Sequence, residues 1–230
     1  MHLSDFLKVL NRQIVACELC PRLRDHGREV ARVKRRAYQD WDYWGKPVPG
    51  FGDRHAQVLL IGLAPGAHGA NRTGRMFTGD SSGDFLYRAL YETGFASQAG
   101  SRSADDGLEL RGAYIAASAR CAPPDNKPSP QELARCRPYL ERELDLLKEV
   151  RVIVALGGVA FRTYLGILRD RGIIQSVTAF PFGHNRVYHP APGLPALIAS
   201  YHPSQQNTLT GKLTAAMLRQ VFERARTLSQ

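Results

Sequence analysis

Four cysteines, one aspartate and one histidine delimit the chemistry that this sequence of 230 residues could carry. Cys17 and Cys20 form a C-x-x-C followed at once by Pro21, while Cys121 and Cys136 lie about a hundred residues further on, with fourteen residues between them. Four thiolates can hold an iron–sulfur cluster or a tetrahedral zinc ion, and ligand type alone does not separate the two. Four unpaired buried thiols are the plain alternative. Four cysteines are too few for the disulfide framework of a small secreted scaffold.

The other candidates fall in three stretches rich in glycine, proline and polar residues, at 62–80, 120–127 and 201–207. The first has glycines at 62, 66, 69, 74 and 79, which let a ligand approach the backbone, with Asn71, Arg72, Arg75 and Asp80 as polar groups beside it. The second carries Asn126 after Pro123-Pro124, and the third carries His202, Ser204, Gln205, Gln206 and Asn207. Each residue also has an ordinary use. Asp80 could cap a helix beginning near Ser81, Phe77 could belong to the core, Asn126 could form a turn and His202 could be structural. The chain lacks both G-x-x-x-x-G-K-[ST] and G-x-G-x-x-G, so nucleotide hydrolysis and hydride transfer lose their usual markers.

Strands and helices must hold these stretches in place. The apolar runs Val58–Gly62, Tyr114–Ala117, Val152–Leu156 and Ala196–Ala199 read as buried strands, and the polar stretches follow the first, second and fourth of them. Between them lie helical patterns: Phe85 to Leu90 ended by Gly94, a helix from Ser129-Pro130-Gln131-Glu132 to about Lys148, and one opened by Gly157-Gly158 through Leu165. A last helix spans about Thr210 to Arg226. At the N-terminus, Ser4 as cap and Phe6, Leu7, Leu10, Ile14 and Val15 at helical spacing suggest a helix delivering Cys17 and Cys20. From Arg22 to Arg54 the periodicity breaks, in a stretch holding the basic run 33–36 and the aromatics Tyr38, Trp41, Tyr43 and Trp44. Alternating strands and helices predict an α/β fold, one domain over 1–230, with four mostly parallel strands covered on both faces. Ligands of such sheets sit beyond the carboxyl ends of the strands. The three stretches therefore converge on one edge.

Lys and Arg number 31 against 21 acidic residues, and the net charge of +10 attracts a polyanion, nucleic acid above all. A basic surface that serves only solubility is the competing reading. The opening segment has no unbroken apolar run, so the expectation is a cytoplasmic, prokaryotic protein that meets the nucleoid when active, with no membrane partner.

The stretches GLAPGAHGANRTGRMFTGD (62–80) and SYHPSQQNTLTGKLT (200–214), with CELCPRL from Cys17 and RCAPPDNKP from Arg120, resemble family 5, the type b enzymes, of the uracil-DNA glycosylase superfamily. The resemblance extends from near residue 17 to about 215. It implies a three-layer αβα sheet protein that flips a damaged base from DNA and hydrolyses its bond to deoxyribose, acting as a monomer. Asp80 would orient the attacking water and offset charge on the sugar, His202 would donate to the base oxygen, and Asn126 would lie near the pocket. Phe77 would stack on the flipped base beside Gly62, Ala64, Gly66 and Ala117. Ser204, Gln206 and Asn207 would meet DNA near the start of the last helix, with Leu209 either a wedge in the base stack or a helix staple. Cys17, Cys20, Cys121 and Cys136 would hold a structural [4Fe-4S] cluster.

Two positions depart from the related type a enzymes, which have a glutamate where this chain has Leu63 and a uracil-reading asparagine where it has Ala117. A pocket without that asparagine leaves fewer polar groups unpaired when another base enters, so hypoxanthine or xanthine is an expected additional substrate. A non-catalytic nucleic-acid-binding module with a four-cysteine metal site would explain the charge and the cysteines but not the convergent loops. An iron–sulfur redox carrier would have little need for the Asp80 loop.

Overall fold

The computed structural model describes residues 3–230, with side chains from Phe6 onward. Its strands are β1 (Phe51–Gly52), β2 (Val58–Gly62), β3 (Ala113–Ala117), β4 (Val152–Leu156), β5 (Arg186–Tyr188) and β6 (Ala196–Ser200), in one sheet ordered β1-β3-β2-β4-β6-β5. The four expected strands are the inner four, and all pair in parallel. Two short antiparallel edges, β1 and β5, extend the expected four to six. They are two and three residues long and only partly covered, so they carry no apolar run that the sequence could announce.

The helices are α1 (Leu3–Val15), α2 (Pro21–Val33), α3 (Ala70–Thr73), α4 (Ser81–Glu92), α5 (Pro130–Leu146), α6 (Gly158–Asp170), α7 (Gln205–Leu209) and α8 (Ala215–Ser229). Every residue of the inner strands is buried, as parallel strands covered on both faces must be. Side chains alternate along them. Val58, Leu60, Ile115, Val154 and Ile198 pack with α4 and α8, whereas Leu59, Ile61, Ile153, Ala155 and Leu197 pack with α1, α5 and α6. Each fully buried Leu or Phe of these layers, such as Leu86 or Phe222, is worth about 1.5–3 kcal/mol of transfer from water. The result is a three-layer αβα sandwich.

Local signals set most helix ends. Ser129 and Glu132 form both halves of a capping box at α5, and Gly94 takes a left-handed φ of +77° just after α4. Four boundaries differ from the sequence reading. Ser4 lies inside α1 rather than before it, and α6 continues past Leu165 to Asp170. The last helix begins at Ala215, capped by Thr214, with α7 as a separate short turn before it. The stretch read as irregular from Arg22 contains the whole of α2. That helix buries only Leu23, Arg24 and Gly27, so its apolar stripe is too thin to register as a period, while Pro21 pre-sets its first turn.

Candidate active site

The site is built where β2 and β6 deliver their loops to one edge of the sheet. Asp80 ends the loop after β2 and is the N-cap of α4, with Oδ1 accepting the Gly83 N–H at 2.9 Å. Its other oxygen lies against two glycines. A Cβ built on Gly66 would come within 2.8 Å of Oδ2, and one on Gly69 within 1.9 Å. The capping role and a role for the second oxygen therefore coexist in one carboxylate. Burial raises the Asp80 pKa above its ordinary value, and the Gly83 and Ser82 amides, with Arg72 further off, pull the other way.

Phe77 holds a left-handed φ of +52°, a strained backbone for a bulky residue and of the kind that clusters at functional sites. Its ring covers the end of β2, where a Cβ on Gly62 would stand 2.9 Å from ring Cε2, and its carbonyl oxygen would be 1.9 Å from a Cβ on Gly83. These two positions admit only glycine in this arrangement. His202, just beyond β6, brings its ring centroid to 5.8 Å from that of Phe77 at an interplanar angle of 34°. Asn207 Nδ2 donates to the His202 carbonyl at 2.8 Å and fixes the loop. Burial lowers the His202 pKa to about 4, so at neutral pH the ring is uncharged and offers one N–H donor.

Three polar residues of the first loop turn inward rather than toward a ligand. Asn71, Arg72 and Arg75 are all buried. Asn71 Nδ2 donates to Gly27 O, and Arg72 donates through Nε to His68 O at 2.8 Å and through Nη2 to Gly79 O at 2.6 Å. Arg75 Nη2 lies 2.8 Å from both Asp106 carboxylate oxygens, while its Nε donates to Thr78. Ser101 then ties Thr78 and the Gly79 N–H to the same segment. A loop with so many glycines would otherwise lose much entropy on ordering, and these bonds supply the compensation. Nothing along the chain announces the 101–106 anchor, because its partners lie more than twenty residues away.

The aromatic segment after α2 packs on this loop as well. The Arg72 guanidinium carbon sits 3.9 Å from the Tyr38 ring centroid and 4.1 Å from that of Trp41, at cation–π distance. Tyr43 Oη meets His68 Nδ1 at 3.1 Å, and the Trp44 N–H donates to Arg72 O.

The remaining candidates fall as follows. Ala117 is buried at the end of β3 and pairs in register with Gly62, and Leu63 and Ala64 follow, partly covered. Ser204 precedes α7, Gln206 is exposed on it, and Leu209 at its end is 84% exposed, which excludes a helix staple. Asn126 is exposed in the loop after β3, in a turn where it and Asp125 have φ of +56° and +54°. Two surface hollows lie elsewhere, one lined by Arg24, Arg28 and Trp44 and the other by Asn185 and Arg224. Convergence of loop chemistry, not hollow size, locates the site.

All four cysteines are free and line one small enclosed cavity, together with Leu19, Leu23, Arg24, Pro47, Arg120 and Arg135. Among the described residues, no three acidic, histidine or cysteine side chains are close enough to grip a single metal ion. The thiols are spread around a wall. Burial pushes the Cys121 thiol up to about 12 and the Cys136 thiol to about 11, so the bare groups are protonated at neutral pH and a metal would have to displace those protons. Arg24 Nε and Arg120 Nε and Nη1 are buried without hydrogen-bond partners. Cationic donors left unused beside four thiols fit an anionic metal–thiolate group.

A three-layer α/β sheet with a glycine-rich carboxylate loop and an H-P-S histidine loop at one edge defines the class. Residues 49–226 match the profile described as "Uracil DNA glycosylase superfamily", and the chain belongs to that superfamily. Within it, the chain is 51% identical over 216 residues to a "Type-5 uracil-DNA glycosylase" of Thermus thermophilus, a match covering 94% of this chain and 95% of that one. Similar proteins of the same description occur in Mycobacterium leprae, at 50% identity over 96% of this chain and 94% of that one, and in Pyrobaculum aerophilum, at 44% over 93% and 89%. These matches place the chain in the type-5 branch.

Proposed function

We propose that this protein hydrolyses the N-glycosidic bond of uracil in DNA and leaves an abasic site. The carrying observation is the meeting of Asp80, seated against Gly66 and Gly69, with the Phe77–His202 pair at one end of the parallel strands. Cleavage sends the bonding electron pair from C1′ to the departing base, so positive charge grows on the sugar and negative charge on the base. An ionised Asp80 offsets the first and orients a water whose oxygen bonds to C1′ as its proton passes to the Asp80 carboxylate. Neutral His202 donates an N–H to the base oxygen as the second develops. Phe77 stacks on the extruded base, replacing part of the stacking it gave up in the duplex. Ser204, Gln206 and Asn207 approach the DNA backbone, and exposed Leu209 occupies the gap that the flipped base leaves.

The same reading takes other deaminated bases as substrates. Ala117 and Leu63 put no side-chain hydrogen-bonding group at the ends of β3 and β2, so a base with a different edge strands no buried donor or acceptor. Cys17, Cys20, Cys121 and Cys136 would hold a [4Fe-4S] cluster, which when bound would supply a covalent tie between the α1–α2 junction, the loop after β3 and α5. Asn126, in the loop after β3, would lie near the pocket.

Incubation with duplexes containing one uracil, hypoxanthine or xanthine, followed by alkaline strand cleavage, tests the reading. Cleavage at uracil and at one other deaminated base is expected. Intact uracil DNA would overturn the activity, and cleavage at uracil alone would overturn only the wider base range.

A further inference from the structure

Two arginines beside the four-cysteine cavity hold donors that nothing in the fold uses. Arg120 is 1% exposed, and its Nη2 donates to the equally buried Glu143, but its Nε and Nη1 have no partner. Arg24 is 4% exposed and donates through Nη1 to Gly45 O, while its Nε is unpartnered, the exposed Glu18 lying 3.4 Å away. A buried donor left unpaired is costly, more so when it is charged, so three in one place call for an acceptor. Both side chains line the cavity that all four thiols share. The cavity lining includes all four cysteines and no acidic side chain, so sulfur is the acceptor this wall presents.

We propose that Arg24 and Arg120 donate their free N–H groups to the sulfurs of the cluster and its thiolates, and so fix both its reduction potential and its retention. The proposal rests on the cluster reading above. N–H···S bonds and nearby positive charge favour the more negative, reduced state over the oxidised one, so both raise the potential. The Glu143 carboxylate holds Arg120 in place from the side away from the cavity. Neither arginine belongs to the base-hydrolysing site, and uracil cleavage does not report on them.

The test uses the full-length protein purified without oxygen, with iron and zinc content measured first. For wild type, Arg24→Gln, Arg24→Lys and Arg120→Lys, the potential is titrated with redox dyes, and iron release to a ferrous chelator is timed. Both substitutions at Arg24 should shift the potential to more negative values, and Arg24→Gln should release iron about 10- to 100-fold faster, the usual effect of losing a partner of a metal ligand. Arg28→Gln, on the same helix but exposed, should change neither. Iron-replete variants with wild-type potential and release rate would overturn the proposal. Protein containing zinc, or no metal, would overturn the cluster reading itself. Arg24 makes no buried ion pair of the Arg120–Glu143 kind, so its variants remain informative if Arg120→Lys fails to fold.

Discussion

Asp80 serves two masters, and two substitutions separate them. As N-cap of α4 it accepts the Gly83 N–H, a bond that asparagine can replace and alanine cannot. Loss of such a cap costs about 1 kcal/mol, which for a chain of this size is about 2–4 °C in Tm. Asp80→Asn should therefore melt about 2–4 °C above Asp80→Ala. Burial raises the Asp80 pKa in the folded state, so its contribution to stability is present in full at pH below the unfolded value and is lost as pH rises through the folded one. At neutral pH the ionised carboxylate is thus a stability cost, and Asp80→Asn should be at least as stable as wild type there, with the advantage vanishing in acid. Both variants should lose about 100- to 10,000-fold in single-turnover cleavage of uracil DNA, the range for a positioned base. Thermal unfolding followed by circular dichroism between pH 3 and pH 8, with alkaline cleavage assays on the same samples, measures both quantities. Asparagine melting no higher than alanine would refute the cap, and full activity in either variant would refute the chemistry.

In Gly69→Ala the added Cβ would fall 1.9 Å from Asp80 Oδ2. The substitution should lower the cleavage rate while DNA binding, read by fluorescence anisotropy, stays near wild type. His202 is neutral above about pH 4, so the rate should have no limb from imidazole titration between pH 5 and 8, and a loss of activity centred near pH 6.5 would contradict its burial. Arg75→Leu removes the buried guanidinium that ties the site loop to Asp106, which keeps only its backbone N–H donors, and denaturant melts should show a loss of about 1–3 kcal/mol. Leu209→Ala should leave the Tm unchanged, because the side chain is 84% exposed, yet reduce the rate on duplex DNA more than on single strands.

Much of this protein is legible along the chain because the signals are local. Five-residue apolar runs between turn-forming residues read as buried strands, and the Ser129-to-Glu132 capping box reappears bond for bond at the start of α5. The motifs at 62–80 and 200–214 identified the superfamily for the same reason. They are contiguous, and their glycines are demanded by contacts with Phe77 and Asp80. The thin helix α2 and the edge strands β1 and β5 stayed hidden, since an element that buries two or three residues imposes no period.

What the order of residues could not reveal is which way a polar side chain turns. Asn71, Arg72 and Arg75 look like ligand-binding groups in a glycine-rich loop, and the fold spends all three on holding that loop to Gly27, Gly79 and the 101–106 segment. Tyr38 and Trp41 read as a surface cluster until Arg72 is found against them. The four cysteines show the division most plainly. Their spacing names a possible ligand set, but only packing brings residues a hundred positions apart around one cavity and leaves Arg24 and Arg120 beside it with donors unused. Local sequence determines elements and motifs because neighbours along the chain set dihedral angles and periodicity. Partners across the chain, and hence the orientation of every buried charge, are chosen by the tertiary fold, which must find each of them an acceptor.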